Sequence, residues 1–173
     1  MAPRTLDDER AGGPATRPHG EAWHYAGVGL LVLVVLAAVL GLLGPREGST
    51  ASAEAGYSLT LTYPQITRAG QPAPLHLRIE HADGFSGPVR VAISDELFDH
   101  LDFQSWFPSP SAEVGEAGVV VYEFDPPTGD VLEISLDART APGQLGGVDR
   151  YHVALLVDDE STARTPFTVW RMP

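Results

Sequence analysis

Tyr57–Pro64 reads Tyr-Ser-Leu-Thr-Leu-Thr-Tyr-Pro. Tyr57, Leu59, Leu61 and Tyr63 alternate with Ser58, Thr60 and Thr62. Successive side chains of an extended chain point to opposite faces, so this period of two predicts a strand with one face buried and Thr60 on the solvated face. Pro64 has no N–H to give to a ladder and closes it. The period recurs downstream. Leu75, Leu77 and Ile79 follow the turn Ala69-Gly70-Gln71-Pro72, and Val89, Val91 and Ile93 follow Asp83-Gly84 and Gly87-Pro88. Then come 119–124 and 131–138, the latter with Leu132, Ile134 and Leu136 inward, joined by Asp125–Asp130. Tyr151, Val153, Leu155 and Val157 precede Asp158-Asp159-Glu160, and Thr165, Phe167 and Val169 complete the set. Seven short strands with turn residues between them predict an antiparallel β-sandwich. A parallel sheet would need crossover helices, and the intervals leave no room for them.

The pattern Gly70-Gln71-Pro72-x-x-Leu75-x-Leu77, followed by Pro127-x-Gly129-Asp130-x-Leu132-x-Ile134-x-Leu136, resembles bacterial extracytoplasmic Ig-like domains over about 57–169. In that group a Pro-x-Gly turn leads a strand. The resemblance implies an Ig-like β-sandwich carried by a bacterial, actinobacterial-type, single-pass membrane protein. The functions it implies are adhesion, assembly or interaction. The Cys…Trp…Cys signature of antibody domains is absent.

Upstream the pattern changes. Tyr25–Leu43, YAGVGLLVLVVLAAVLGLL, is apolar on every face and carries no charge. At 1.5 Å per residue it has the length of a bilayer's hydrocarbon core, roughly 30 Å. The expected order is a disordered cytoplasmic leader over 1–22, a transmembrane helix over 23–43, a small-residue linker over 44–56 and the sandwich domain over 57–173. Trp23 and Tyr25 are the membrane-interface candidates, since amphipathic rings favour the headgroup layer. Arg4, Arg10 and Arg17 precede the helix and only Arg46 closely follows it, which predicts the N-terminus inside and the domain outside the cell membrane. The rival is a cleaved signal peptide with Ala51-Ser52-Ala53 as its site, although that site lies far past the apolar run. Ala37 and Gly41 form a small-xxx-small pair that would let two such helices approach.

Composition narrows the chemistry. There is no cysteine, so disulfides, thiolate metal sites and a cysteine nucleophile are excluded. All eleven basic residues are arginines, and there is no asparagine for an N-glycosylation sequon. From Arg46 onward eight arginines face nineteen Asp and Glu, within a net charge of −12. Such a surface repels nucleic-acid phosphates and keeps a domain soluble.

Ser94–Ser111, SDELFDHLDFQSWFPSPS, breaks the strand pattern. Asp95 is placed to cap a short helix in which Leu97, Phe98 and Leu101 share a face. The cluster reads either as a plug that closes one end of the sandwich, a satellite of the core, or as an exposed partner-binding patch. Of its rings Phe98 reads most as core, and Trp106 and Phe107, before Pro108, are those the second reading exposes. They are the candidate partner-binding pair, because aromatic side chains dominate binding hot spots. His76 and His152 fall on solvent-facing strand positions, and no histidines have the spacing of a helical zinc site. The acidic runs lack the calcium-loop spacing. No catalytic, metal or cofactor residues are assigned. The expected partners are the bilayer and a membrane or envelope protein, not nucleic acid. The first functional reading is therefore a membrane-anchored extracytoplasmic protein-interaction module without catalysis. The alternatives are an accessory or assembly factor for a membrane metalloenzyme, and an envelope hydrolase.

Overall fold

The computed structural model describes residues 19–40, 46–143, 145–157 and 160–172, and the chain divides into two compact units at Gly44/Pro45. The first unit holds helix α1, His19–Val39. It starts four residues before the expected position 23. The leader up to residue 18 and residues 41–43 of the expected span lie outside the described residues. Among the described residues no helix is long and apolar enough to cross a membrane. The charge-free run inside α1 begins only at Ala22, after Glu21, and the end of the expected span is not described.

The second unit is built from strands. These are β1 (Glu47–Glu54), β2 (Tyr57–Pro64), β3 (Ile66–Arg68), β4 (Leu75–His81), β5 (Val89–Ser94), β6 (Leu101–Phe107), β7 (Ala112–Glu116), β8 (Val119–Phe124), β9 (Val131–Thr140), β10 (Gly147–Val157) and β11 (Glu160–Met172). They form two sheets, ordered β1-β2-β4-β9-β6 and β3-β11-β10-β5-β8-β7. All neighbours are antiparallel except β3 and β11, which run parallel through Ile66–Arg68 and Trp170–Met172. The inward residues of both sheets make one core, including Leu59, Leu77, Ile79, Ile93, Phe124, Ile134, Leu136, Tyr151 and Phe167. Tyr63 and Phe167, from different sheets, lie 4.9 Å apart ring to ring.

All seven predicted strands are present, as β2, β4, β5, β8, β9, β10 and β11. Four further strands correct the expected count. The first overturns the linker over 44–56. Glu47–Glu54 pairs with β2 at eight consecutive positions. Ala55 and Gly56 join the two strands, with φ of 51° and 82°. Two positive φ values in a two-residue connection are what a right-twisted hairpin requires. The strand contains only Gly, Ser, Thr, Ala and Glu, so no apolar alternation marks it. Even so, Thr50 turns inward and its Oγ1 lies 2.8 Å from Thr165 Oγ1 on the opposite sheet.

Strand β3 is too short to show a period. It turns Thr67 inward, where the hydroxyl bonds to that of Thr140. Strand β7 is exposed along its whole length and pairs only with β8. Strand β6 occupies the segment expected to be a helix and loop.

Candidate functional site

Ser94–Ser111 forms a 3-10 turn over Asp95–Leu97 and then the edge strand β6. The expected helix cap is not made: the residue before the turn is Ser94, with no side-chain bond to the turn. Leu97 is buried and Phe98 packs on Phe103, ring tilted to ring at 4.3 Å, so both serve the core as their apolar character demands. The helical period stops there because the chain must extend to pair with β9 from Leu101. A bulge between Phe103 and Ser105 resets the alternation.

The alternation separates the candidate pair. Trp106 lies opposite Leu136 and packs on Tyr122 at 4.5 Å and on Phe124 at 5.8 Å. Phe107 lies opposite Ser135 and is 77% exposed. Neighbours on a strand point to opposite faces, so both rings cannot serve one interface. Trp106 therefore takes the core-plug alternative, half-buried against the core, and is corrected as an exposed anchor, and of the pair Phe107 alone stands on the surface.

Phe107 overhangs a groove of ≈ 490 Å³ on the outer face of the first sheet. Thr60 and Thr62 come from β2, His76 and Arg78 from β4, and Glu133 and Ser135 from β9. The pleat places them on one side: each pairs across strands with the next, Thr62 with His76 and His76 with Ser135. His76 Nδ1 lies 2.9 Å from Ser135 Oγ. Arg78 donates to Glu80 at 2.7 Å and also to Glu133. These two carboxylates raise its proton affinity, the hydrogen bond to Glu80 most. The groove thus combines one apolar ring at a sheet edge with hydroxyls, an imidazole and a neutralised ion pair.

A second polar cluster sits at one end of the strands. Arg171, 7% exposed, binds Asp149 through Nε at 2.8 Å and Nη2 at 2.7 Å, and donates to the Leu145 carbonyl at 3.3 Å. Gly147 leaves room for the guanidinium, since a Cβ there would lie 3.1 Å from Nη2. Tyr151 is buried beside it, with its hydroxyl 2.7 Å from His100 Nδ1. Burial, reinforced by Asp149, pushes the Tyr151 hydroxyl up to about 12. Every member has a partner, and the cluster pins β10 and β11 to the turn before β6. It escaped the sequence reading because an inward Arg on a strand of alternating residues looks like an ordinary polar position. The signal available was the parity shared by Phe167, Val169 and Arg171.

Of the other predicted positions, Trp23 and Tyr25 lie on α1, 80% and 71% exposed. His76 faces outward as expected. His152 also faces outward but is half-buried against Ser94. Among the described residues no three His, Asp or Glu side chains are grouped as around a metal ion.

No family model matches the sequence, and no curated protein matches it. Among solved structures, a β-glucosidase from Listeria innocua in complex with gluconolactone is similar at 10% identity and a TM-score of 0.37, over 75% of this chain and 16% of that one. The Pseudomonas fluorescens alkylpurine DNA glycosylase AlkC, bound to DNA containing an abasic site analog, is similar at 14% identity and a TM-score of 0.32, over 78% of this chain and 32% of that one. The chain spans less than a third of either protein, and likenesses this remote carry no argument about its activity.

Proposed function

We propose that the chain is a single-pass membrane-anchored protein of the bacterial cell envelope whose Ig-like domain, outside the membrane, binds a protein partner through the Phe107 groove. The observation that carries the anchor is the exposure of every large apolar side chain from Trp23 to Leu40, all around α1. A helix apolar on all sides needs an apolar medium, and water would cost roughly 25 cal/mol for each Å² left uncovered. The arginines before the helix favour an internal N-terminus. Cleavage at Ala51-Ser52-Ala53 would cut within β1, where these residues pair with Ser58–Thr60, so an uncleaved anchor is favoured over a signal peptide.

The Ig-like reading is supported by connectivity. The orders β2-β4-β9-β6 and β5-β10-β11 follow the chain as strands A, B, E, D and C, F, G of a constant-type Ig sandwich. The β7–β8 hairpin is inserted between the positions of D and E. The partner-binding reading rests on Phe107, an exposed ring over a groove in a surface otherwise rich in charge.

Protease added to intact cells stripped of their wall tests the topology. The expected product is a membrane-bound remnant that retains Met1, with the outer domain digested away. Release of a chain starting at Glu54 would establish a signal peptide instead. A photo-crosslinking residue in place of Phe107, compared with one in place of Ser58 in the same membranes, tests the groove. A protein adduct confined to position 107 supports it, and equal labelling at both positions rejects it.

A further inference from the structure

The outer face of the second sheet carries a cluster that the Phe107 groove does not involve. His152 on β10 lies opposite Pro166 on β11, while Arg164 lies opposite Ala154 and Arg150 opposite Thr168. Each arginine is two residues along its own strand from one member of the His152–Pro166 pair, so the two flank it diagonally on the same face. Arg150, His152, Arg164 and Pro166 together line a cavity of ≈ 400 Å³. No carboxylate lines it, in a chain of net charge −12. Among the described residues neither Arg150 nor Arg164 makes an ion pair.

The imidazole is tied to Ser94. The His152 backbone N–H donates to Ser94 Oγ at 3.0 Å. The Ser94 hydroxyl is 2.7 Å from His152 Nδ1 and 3.3 Å from the His152 carbonyl. When Ser94 Oγ donates to Nδ1, the hydrogen of the neutral imidazole is on Nε2, which is the tautomer an anion in the cavity would select. Burial, and then the charge of Arg164, hold His152 below the usual histidine range, while Glu96 acts in the opposite sense. The neutral ring is thereby favoured over the imidazolium. Pro166 adds no polar group of its own. Tyr151, the remaining lining residue, turns its ring into the core, so the charged groups of the cavity are two guanidiniums, which only donate. Guanidinium forks match the paired oxygens of carboxylate and phosphate groups.

We propose that Arg150, Arg164 and His152 Nε2–H form an anion-binding cleft on the outer face of the second sheet, which takes one carboxylate or phosphate group of a ligand. The cleft's volume fits such a group and a few neighbouring atoms. It stands whether or not the Phe107 groove binds a protein, because no residue is shared.

The test uses the full-length chain in detergent with ¹³C-labelled histidine, and His152→Gln to assign the resonance. Inorganic phosphate and a tetraglutamate peptide are titrated separately at ionic strength held constant with sodium chloride, which removes screening as a cause. The expected result is a saturable shift of the His152 resonance with at least one of them. Arg150→Gln and Arg164→Gln should each weaken it tenfold or more, while Arg139→Gln, an exposed arginine on the other sheet, leaves it unchanged. Saturation by phosphate alone identifies a phosphoryl ligand, and by the peptide alone a carboxylate ligand. A shift no larger than sodium chloride gives, or one that survives both arginine substitutions, overturns the proposal.

Discussion

Single residues on these strands divide into those whose side chain is committed inward and those free of the core, and adjacent positions differ sharply. Trp106→Ser removes a half-buried ring packed on Tyr122 and Phe124 and is expected to cost about 2 kcal/mol or more in urea unfolding. Phe107→Ser, one residue on, is expected to change stability by less than about 0.5 kcal/mol. Equal costs would place both rings in the core. Ala55 is strained in a different way: its φ of 51° is one an L-residue with a Cβ avoids. Ala55→Gly should therefore raise stability by roughly 0.5–1 kcal/mol, seen as a higher urea midpoint at unchanged slope. Tyr151 gives a pH dependence whose sign is fixed. Its hydroxyl ionises near 10.0 when unfolded and is pushed up to about 12 in the fold. The folded chain keeps a proton that the unfolded chain releases, so this contribution is complete below pH 10 and is lost as pH rises through 12. Tyr122, raised by burial and then by Glu113, acts in the same direction. Urea midpoints measured from pH 8 to 11 should fall at the alkaline end, and less steeply in Tyr151→Phe.

At the scale of elements, β1 is the strand most easily mistaken for a tether. Removing everything before Ala55 strips eight paired residues from β2 and exposes its edge. A chain starting at Pro45 should unfold cooperatively, whereas one starting at Ala55 should melt at least several degrees lower or aggregate, as followed by circular dichroism. Equal melting would mean that β1 contributes nothing to the sheet. The contrast with β2 explains what the sequence made legible. Leu59 and Leu61 advertise their strand because large apolar residues must go inward and the period tells which. In β1 the inward residues are Gly48, Thr50 and Ser52, whose burial or partial burial leaves no hydropathy signal. Strand β6 was hidden for another reason: its bulge shifts the parity midway, so the aromatic residues of 98–107 fit neither a helix nor a regular strand. Of the candidate site, Phe107 was legible from its aromatic cluster. The groove beside it was not, because His76, Arg78, Glu133 and Ser135 come from two strands brought together only by register.

The whole second unit has one principal core shared by both sheets. Ile134→Ala on the first sheet and Phe167→Ala on the second should each cost on the order of 2–5 kcal/mol. Both should lower one common transition, monitored together by tryptophan fluorescence and far-ultraviolet circular dichroism. Two separated transitions would mean that the sheets unfold independently.

One consequence concerns mechanics. The Gln65 N–H bonds to the Arg46 carbonyl at 2.7 Å, and the Gln65 carbonyl accepts from the Trp170 N–H at 2.8 Å. The chain thus enters the sandwich and completes its last strand at one end, a single residue apart. Tension applied between Arg46 and Trp170 would not pull whole strands past one another. It would prise β1 from β2 one pair at a time, starting at Glu47 and Pro64. Such a domain yields gradually to a steady pull between these two points, while a pull along the axis of β1 against β2 would load all eight pairs together.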